Sequence, residues 1–491
     1  MLEEQYMLVT DQKILIDGEL VGATDGRTYE VFNPATEEVA GIAPDAQVAD
    51  VERAIAAARR AFDETDWATD VELRRRCLTQ LQDNLRKMAD EVRPLLTAES
   101  GMPLALSFPM GLDGPVESLG FWPDLLSTYE FERTLAPKQI MGGESVRTVR
   151  KEAAGVVAAI TPWNFPFQLN LTKIGGALAA GCTVVLKPAP DTPWSGTVLA
   201  AAAVDTDIPA GVLNIVTTSD NRVAEVLTTH RDVDQITFTG STRTGRLIMR
   251  NASETVKRVS LELGGKSAAI ILDDADLASS VAMAAAAVCM HAGQGCALAT
   301  RLLVPNHLMD QVAAIAEQVL SGLPWGDPTD MANMMGPLIN RAQFDKVLDY
   351  IEVGKSEARL VVGGGRPEKY TKGYFVAPTL FSHVPPDSRI AREEIFGPVV
   401  VLIGFADDED AVRIANDSEF GLSGSVYSAD VERAKRIALR LRTGTIALNG
   451  AQWFDVESPF GGYKQSGLGR EWGVEGLEDF LETKTFSYPV S

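Results

Sequence analysis

Residues 14 to 42 alternate apolar and polar positions with turn residues between them, as in Ile14-Leu15-Ile16-Asp17-Gly18 and Asn33-Pro34-Ala35-Thr36. That period of two predicts short antiparallel strands joined by tight turns. From Asp50 to Ser100 the apolar residues fall three or four apart (Val51, Ile55, Ala58, Phe62, then Leu78, Leu81, Leu85, Met88), which predicts helix, and Gly101-Met102-Pro103 ends the run. Strand-like residues return at Tyr129-Glu130-Phe131 and Ser145-Val146-Arg147-Thr148-Val149. They predict a hairpin set apart from the first helices, serving either assembly or simply as a surface hairpin.

Between 155 and 263 the pattern becomes regular. Continuous apolar runs at 155–160, 183–187, 213–216 and 235–238 alternate with helical patterns at 169–180, 195–204 and 222–229, and Thr239-Gly240-Ser241-Thr242 opens a further helix. Strands apolar on both faces and separated by helices predict a parallel sheet covered on both sides. This is an architecture of nucleotide-binding proteins, although no GxGxxG follows any strand. A second α/β region starts with the strand 268–272. It continues through a helix at 277–290 and a strand at 301–304, and alternates on to about residue 449. The tail carries a glycine-rich turn and then an amphipathic helix predicted at 474–481.

Length and charge narrow the picture. A chain of 491 residues exceeds what one core supports, so two or three domains are expected. The net charge of −22 excludes the basic surfaces that nucleic acids and anionic membranes require, so neither is expected as a partner. Four cysteines and four histidines, with no CxxC or HxxxH spacing, predict neither a disulfide framework nor a metal site. No basic leader followed by an apolar run opens the chain, and no apolar stretch is long enough to span a bilayer; a reducing cytoplasm is the expected compartment.

Six stretches can carry chemistry. In His291-Ala292-Gly293-Gln294-Gly295-Cys296-Ala297 the thiol stands among glycines, where backbone approaches closely. A thiol attacks a carbonyl as thiolate, so it needs a base, and Glu262 in Leu261-Glu262-Leu263-Gly264-Gly265-Lys266 is the first candidate. Thr239-Gly240-Ser241-Thr242 lies between strand and helix, where free N–H groups favour an anion such as a pyrophosphate; a plain helix cap is the alternative. Lys187 ends a parallel strand at the edge where such sheets bind ligands; an ordinary solvated lysine is the alternative. Asn164, in a stiff loop between prolines, is a donor for a developing oxyanion or a turn former. Glu394-Ile395-Phe396-Gly397-Pro398 adds a carboxylate and an aromatic beside a turn, with a purely structural turn as the alternative. Thiol, base, oxyanion donor and dinucleotide site together suit aldehyde oxidation through a thioester.

The sequence resembles the aldehyde dehydrogenase superfamily from about Ile14 to Thr485. The likeness rests on six ordered motifs: Thr161-Pro162-Trp163-Asn164-Phe165-Pro166, Phe238-Thr239-Gly240-Ser241-Thr242, Leu261-Glu262-Leu263-Gly264-Gly265-Lys266, Gly293-Gln294-Gly295-Cys296, Glu393-Glu394-Ile395-Phe396-Gly397-Pro398 and Pro459-Phe460-Gly461-Gly462-Tyr463-Lys464-Gln465-Ser466-Gly467. The resemblance implies an α/β fold: a Rossmann-like dinucleotide-binding domain (1–127 and 147–263), an α/β catalytic domain (264–457), and a small β oligomerisation flap with the tail (128–146 and 458–491). It implies that Cys296 is the nucleophile and Glu262 the base that activates water. Asn164 and the Cys296 N–H would form the oxyanion hole, and Lys173 would support proton relay. Lys187 and Glu394 would hold the two riboses and Ser241 the pyrophosphate, with Phe396 near the nicotinamide. Ile160, Thr161, Pro162, Trp163, Pro190, Asp191, Gly240 and Leu263 would complete the cofactor site. Phe165, Leu169, Thr172, Gly295, Ala297 and Trp453 would line the aldehyde pocket. The family's assemblies imply a homo-oligomer, dimer or tetramer.

Two departures from the family pattern matter. Pro190 stands where a ribose-binding glutamate is common and Asp191 follows. NAD is expected on the reading that Asp191 substitutes, with NADP as the alternative that Arg243 favours. Small Gly295 and Ala297 beside the thiol, and Thr172 in place of a common aromatic, imply a bulky or hydrophobic aldehyde. Arg301 is expected to pair structurally rather than to read a substrate carboxylate. The competing readings are a CoA-acylating semialdehyde dehydrogenase, which need not retain Glu262, a crystallin-like structural relative, which needs none of these residues, and a thiol hydrolase without nicotinamide.

Overall fold

The computed structural model describes residues 13–452 and 454–490, with the side chain of Ile140 left aside; Trp453, expected in the pocket, lies outside the described residues. Two mostly parallel sheets dominate. The first runs in the order Glu19–Val21, Ile14–Ile16, Leu213–Ile215, Thr183–Lys187, Val156–Ile160, Gln235–Gly240, Arg258–Leu263 and Gly467–Leu468. Its five central strands are parallel and the flanking ones antiparallel. The central strands read as unbroken apolar runs because helices cover both faces, and their residues from Val156 to Leu186 are almost wholly buried. The second sheet carries six parallel strands, Thr379–Ser382, Val399–Phe405, Arg301–Pro305, Ala268–Ile271, Ser423–Tyr427 and Thr445–Leu448, with Arg359–Val362 antiparallel at one edge.

The predicted helices stand close to where the periodicity placed them: Val48–Glu64 and Val71–Ser100, then Pro166–Ala180, Trp194–Val204, Asn221–Thr229 and Leu277–Cys289. Two predicted elements differ. The hairpin strands are Glu132–Ile140 and Gly143–Ala153, so residues 129–131 lie outside them and the hairpin continues past the expected boundary at 146. The tail helix is only Gly473–Glu478, because from Leu481 the chain becomes a strand, Leu481–Pro489, paired with the second hairpin strand from Leu481↔Ala153 to Pro489↔Ser145. Backbone pairing there overrides a weak amphipathic pattern, since this strand is exposed at nearly every position after Leu481.

The tail also binds the two sheets together. Gly467 and Leu468 pair antiparallel with Glu262 and Leu261, and Ser466 donates its hydroxyl to the Gly264 carbonyl (2.8 Å) while accepting from Gly421 N (2.9 Å). The crossing from one sheet to the other, Leu263 to Ser267, is thereby fixed where the candidate chemistry lies. Among the described residues no helix is long and apolar enough to cross a membrane, and no group of three or more His, Cys, Asp and Glu is placed to hold a metal ion.

Candidate active site

Strand register explains why distant residues share an edge. Ile160 is level with Lys187 and with Phe238, and Gly240 is level with Leu263, so Ile160, Lys187, Gly240 and Leu263 end parallel strands on the same side. Lys187 is buried, and its ammonium donates to no described protein group; burial draws its pKa down to about 8, against the opposing charge of Asp191. An ammonium buried without a protein acceptor fits a ligand that brings hydroxyl oxygens. Ser241 is exposed and caps the helix Thr242–Ser253, accepting from Thr244 N (3.2 Å). The remaining first-turn N–H groups and the helix dipole are left for an anion. Trp163 meets Phe396 edge to face at 5.5 Å, with Phe396 held at φ +61°. Glu394 accepts from Gly265 N at 2.9 Å.

The nucleophile loop follows the helix Leu277–Cys289 and is strained: His291 (φ 46°), Ala292 (φ 54°) and Gly293 (φ 73°) are successive left-handed residues. A Cβ on Gly293 would lie 2.2 Å from the Gly397 carbonyl, so only glycine lets this loop pass the Glu394–Pro398 turn. A Cβ on Gly265 would meet the Cys296 carbonyl at 2.7 Å, and one on Gly264 the Glu394 carboxylate at 2.4 Å. The paired glycines of the Leu263–Lys266 crossing are therefore space left for the thiol loop and for Glu394.

Asn164 is buried and donates to the Gln294 carbonyl (2.8 Å), which leaves its second amide hydrogen for a substrate oxygen. Its own carbonyl accepts from His291 Nε2 at 2.7 Å. Burial lowers the His291 pKa to about 4, so the ring is neutral and Nε2 carries the proton. Gln294 is fully buried: its side-chain oxygen accepts from Ile339 N (2.9 Å) and its amide donates to the His291 carbonyl (3.1 Å). His291 and Gln294 thus fix the oxyanion donor to the nucleophile loop. The sequence reading assigned them no role, because a supporting hydrogen bond leaves no periodic or compositional signal.

Cys296 is half-buried and packs in the same apolar cluster as Phe165, Met290, Ala297, Phe454 and Val456. Burial, and then the charges of Glu262, Glu394 and Glu471, raise its pKa well above that of a free thiol. Glu262 is buried, both its carboxylate oxygens lack a hydrogen-bond partner, and its pKa is raised by burial first and by Glu471 next, with Lys173 opposing. A carboxyl group raised in this way is a competent base near neutral pH, and its unpartnered oxygens are free for a water. Because the Glu262 charge adds to burial in raising the thiol pKa, Glu262→Gln is expected to lower the pH midpoint of Cys296 alkylation by iodoacetamide, followed by peptide mass spectrometry. An unchanged or raised midpoint would separate the two groups.

Lys173 lies fully buried behind Glu262 and borders the same cavity. It donates to Glu471 (2.7 Å) and to the Thr237 hydroxyl (3.0 Å). Glu471 is its partner, and nothing in sequence spacing connects the two. Lys173→Met leaves that carboxylate uncompensated, and a loss of about 3 kcal/mol in urea unfolding is expected. Lys173→Met with Glu471→Leu should recover most of it.

The other predicted residues fall as follows. Thr161 donates to Asn170 (2.6 Å) beside half-buried Pro162. Pro190 and Asp191 are half-buried at the start of the loop into the helix Trp194–Val204, and Asp191 accepts from Asn340 at 3.0 Å. Leu169 is half-buried one turn after Phe165. Thr172 lines the Lys173–Glu262 cavity and gives its hydroxyl to the Gln168 carbonyl (2.7 Å). Gly295 corrects one expectation: a Cβ there would lie 2.9 Å from Leu298, whose side chain fills space that the small residue was expected to leave for substrate. Arg301 is structural, as expected; its guanidinium donates to the carbonyls of Lys266, Ile414 and Ala415.

A thiol, a raised carboxyl and an amide donor, set between two α/β units beside a nucleotide-binding sheet edge, define a cysteine-dependent oxidoreductase. The aldehyde dehydrogenase family model matches residues 21–486, and the chain belongs to that family. It is 43% identical over 477 residues to 3-succinoylsemialdehyde-pyridine dehydrogenase of Pseudomonas sp (96% of this chain, 98% of the relative). It is 39% identical over 481 residues to geranial dehydrogenase of Castellaniella defragrans (98% and 99%). Among solved structures it resembles a mutant aldehyde dehydrogenase C from Pseudomonas syringae in complex with NAD+ and octanal (TM-score 0.92, 40% identity, 97% and 96% coverage). It also resembles betaine aldehyde dehydrogenase of Staphylococcus aureus with NAD+ (TM-score 0.94, 34% identity, 98% and 96%).

Proposed function

We propose that this protein oxidises an apolar aldehyde to its carboxylic acid, with NAD as acceptor. One observation carries the reading: Cys296, Glu262 with its two unpartnered oxygens, and Asn164 with a spare amide hydrogen converge beside the sheet edge that ends in buried Lys187. Lys187 and Asp191 would hold the adenosine ribose, Glu394 the other ribose, and the start of the helix Thr242–Ser253 the pyrophosphate. Ile160, Thr161, Pro162, Trp163, Gly240, Leu263 and Phe396 form the walls. The nicotinamide, when bound, supplies the hydride acceptor.

The residues divide the work. Cys296, its proton released to solvent, bonds through its sulfur to the aldehyde carbon, and Asn164 donates to the oxygen as charge builds there. After oxidation the acyl group is a thioester on Cys296. Glu262 then takes a proton from water, whose oxygen attacks the acyl carbon and releases the thiolate and the acid. Holding these groups in register is itself a large part of the rate. The apolar cluster on which Cys296 packs, and on which Phe165 and Met290 also pack, favours an apolar chain. Arg301, engaged by three carbonyls, cannot read a distal carboxylate, which disfavours small carboxylated semialdehydes. The geranial dehydrogenase of C. defragrans and the octanal complex of the P. syringae protein are relatives of the same tendency.

The three-stranded sheet of Glu132–Ile140, Gly143–Ala153 and Leu481–Pro489 exposes Phe486 and Tyr488, which supports assembly into a dimer or tetramer through this sheet. The free thiols of all four cysteines suit a reducing cytoplasm. The test is steady-state formation of reduced nicotinamide from octanal, geranial and succinic semialdehyde with NAD or NADP, without CoA. Turnover confined to succinic semialdehyde would refute the substrate reading, and a strict CoA requirement would refute the hydrolytic one.

A further inference from the structure

Residues 337–340 touch both halves of the site. The Pro337 carbonyl accepts from the Gln294 side chain (3.4 Å), and Ile339 N donates to it (2.9 Å), which anchors this segment to the nucleophile loop. The next residue, Asn340, opens the helix Arg341–Glu357. Its amide oxygen accepts from Gln343 N (2.9 Å) as an N-cap, while its amide nitrogen donates to Asp191 of the opposite α/β unit (3.0 Å). Gln343 in turn donates to the carbonyls of Ile395 (3.1 Å) and Phe396 (2.7 Å). Ser, Thr and Asp cap a helix as well as Asn does. Of the four, only Asn offers an N–H from an atom long enough in reach to cap and still meet a carboxylate on another domain.

We propose that Asn340 is a positioning residue for the cofactor, orienting the Asp191 carboxylate so that it accepts from the adenosine ribose hydroxyls in place of the glutamate that Pro190 displaces. The inference rests on the cofactor reading given above. Asp191 sits in a short loop, and its charge is felt by the Lys187 ammonium. Without a donor from the second unit, the carboxylate is free to turn onto Lys187 and pair with it, leaving the ribose one acceptor short. The adenosine end would then be built from both α/β units, with Asn340 and Gln343 forming one hydrogen-bonded support that also reaches the Phe396 turn.

Calorimetric titration of the full-length protein with NAD and with NADP tests this, alongside melting temperatures. Asn340→Ser keeps the cap on a side chain too short to donate to Asp191, and Asn340→Gly removes the side chain at small cost to the helix. Each should weaken NAD roughly tenfold, the loss expected of one hydrogen bond to a charged group, with little change in melting temperature. In an Asp191→Ala background the same changes should cost less than about twofold, because Asn340 acts through Asp191. NAD affinity at the wild-type level in both variants, or an undiminished loss in the Asp191→Ala background, would overturn the proposal. A folded wild-type protein that binds neither dinucleotide would instead overturn the cofactor reading and this inference with it.

Discussion

Cys296→Ala is expected to abolish aldehyde oxidation, by roughly 10⁴-fold or more in kcat, while NAD still binds. No other thiol can take over. Cys289 lies seven residues earlier at the end of a helix, fully buried, with its pKa pushed up to about 12. Cys182 is buried with its sulfur on the Phe480 carbonyl, and Cys77 is buried with a pKa near 11. Glu262 and Asn164 would remain in place, but they only assist an attack; without sulfur there is no covalent adduct to expel hydride. Binding should persist because Lys187, Ser241 and Glu394 stand on other segments of the chain. Rate assays with octanal, paired with NAD calorimetry, decide it. Turnover above about one part in a hundred would mean that water adds directly and that the thioester scheme is wrong; lost NAD binding would mean that the loop had collapsed.

The sequence made the two sheets legible because their strands are buried on both faces. Val156–Ile160 and Ala268–Ile271 are unbroken apolar runs, and Thr183–Lys187 is apolar between its two end residues. It misplaced elements held by pairing rather than by burial. Leu481–Pro489 is exposed at almost every position, so its strand state comes from hydrogen bonds to Gly143–Ala153, and its residue pattern says little. The chemical residues were legible where glycine or proline marks a special backbone, as around Cys296, Asn164 and Glu262. Their supports were not. Glu471 meets Lys173 across 298 residues, and Asn340 meets Asp191 across 149, contacts fixed by the packing of two units against each other. Gly295 shows the converse limit: a small residue reads as open space, yet Leu298 occupies that space.

Glu262→Gln should separate the two halves of the reaction. Glutamine keeps the size of the side chain and fills the same buried position, but its amide cannot take a proton from water. Acylation should survive, since removing the carboxylate charge eases ionisation of Cys296, whose pKa that charge raises. Rapid mixing should therefore show a burst approaching one reduced nicotinamide per site, followed by a steady state about 10²–10⁴-fold slower than wild type. The pH dependence follows from the same group. Burial and Glu471 hold the Glu262 pKa well above 4.5, and only the deprotonated form is a base, so wild-type steady-state turnover should climb with pH through a midpoint far above that of an ordinary glutamate. In Glu262→Gln that ascending limb should vanish from the deacylation step. Added hydroxylamine, which attacks a thioester without a base, should restore turnover in the variant. Wild-type steady-state rates in Glu262→Gln would remove Glu262 from the mechanism. A variant with no burst would place Glu262 in acylation, as the group that must accept the Cys296 proton before sulfur can attack.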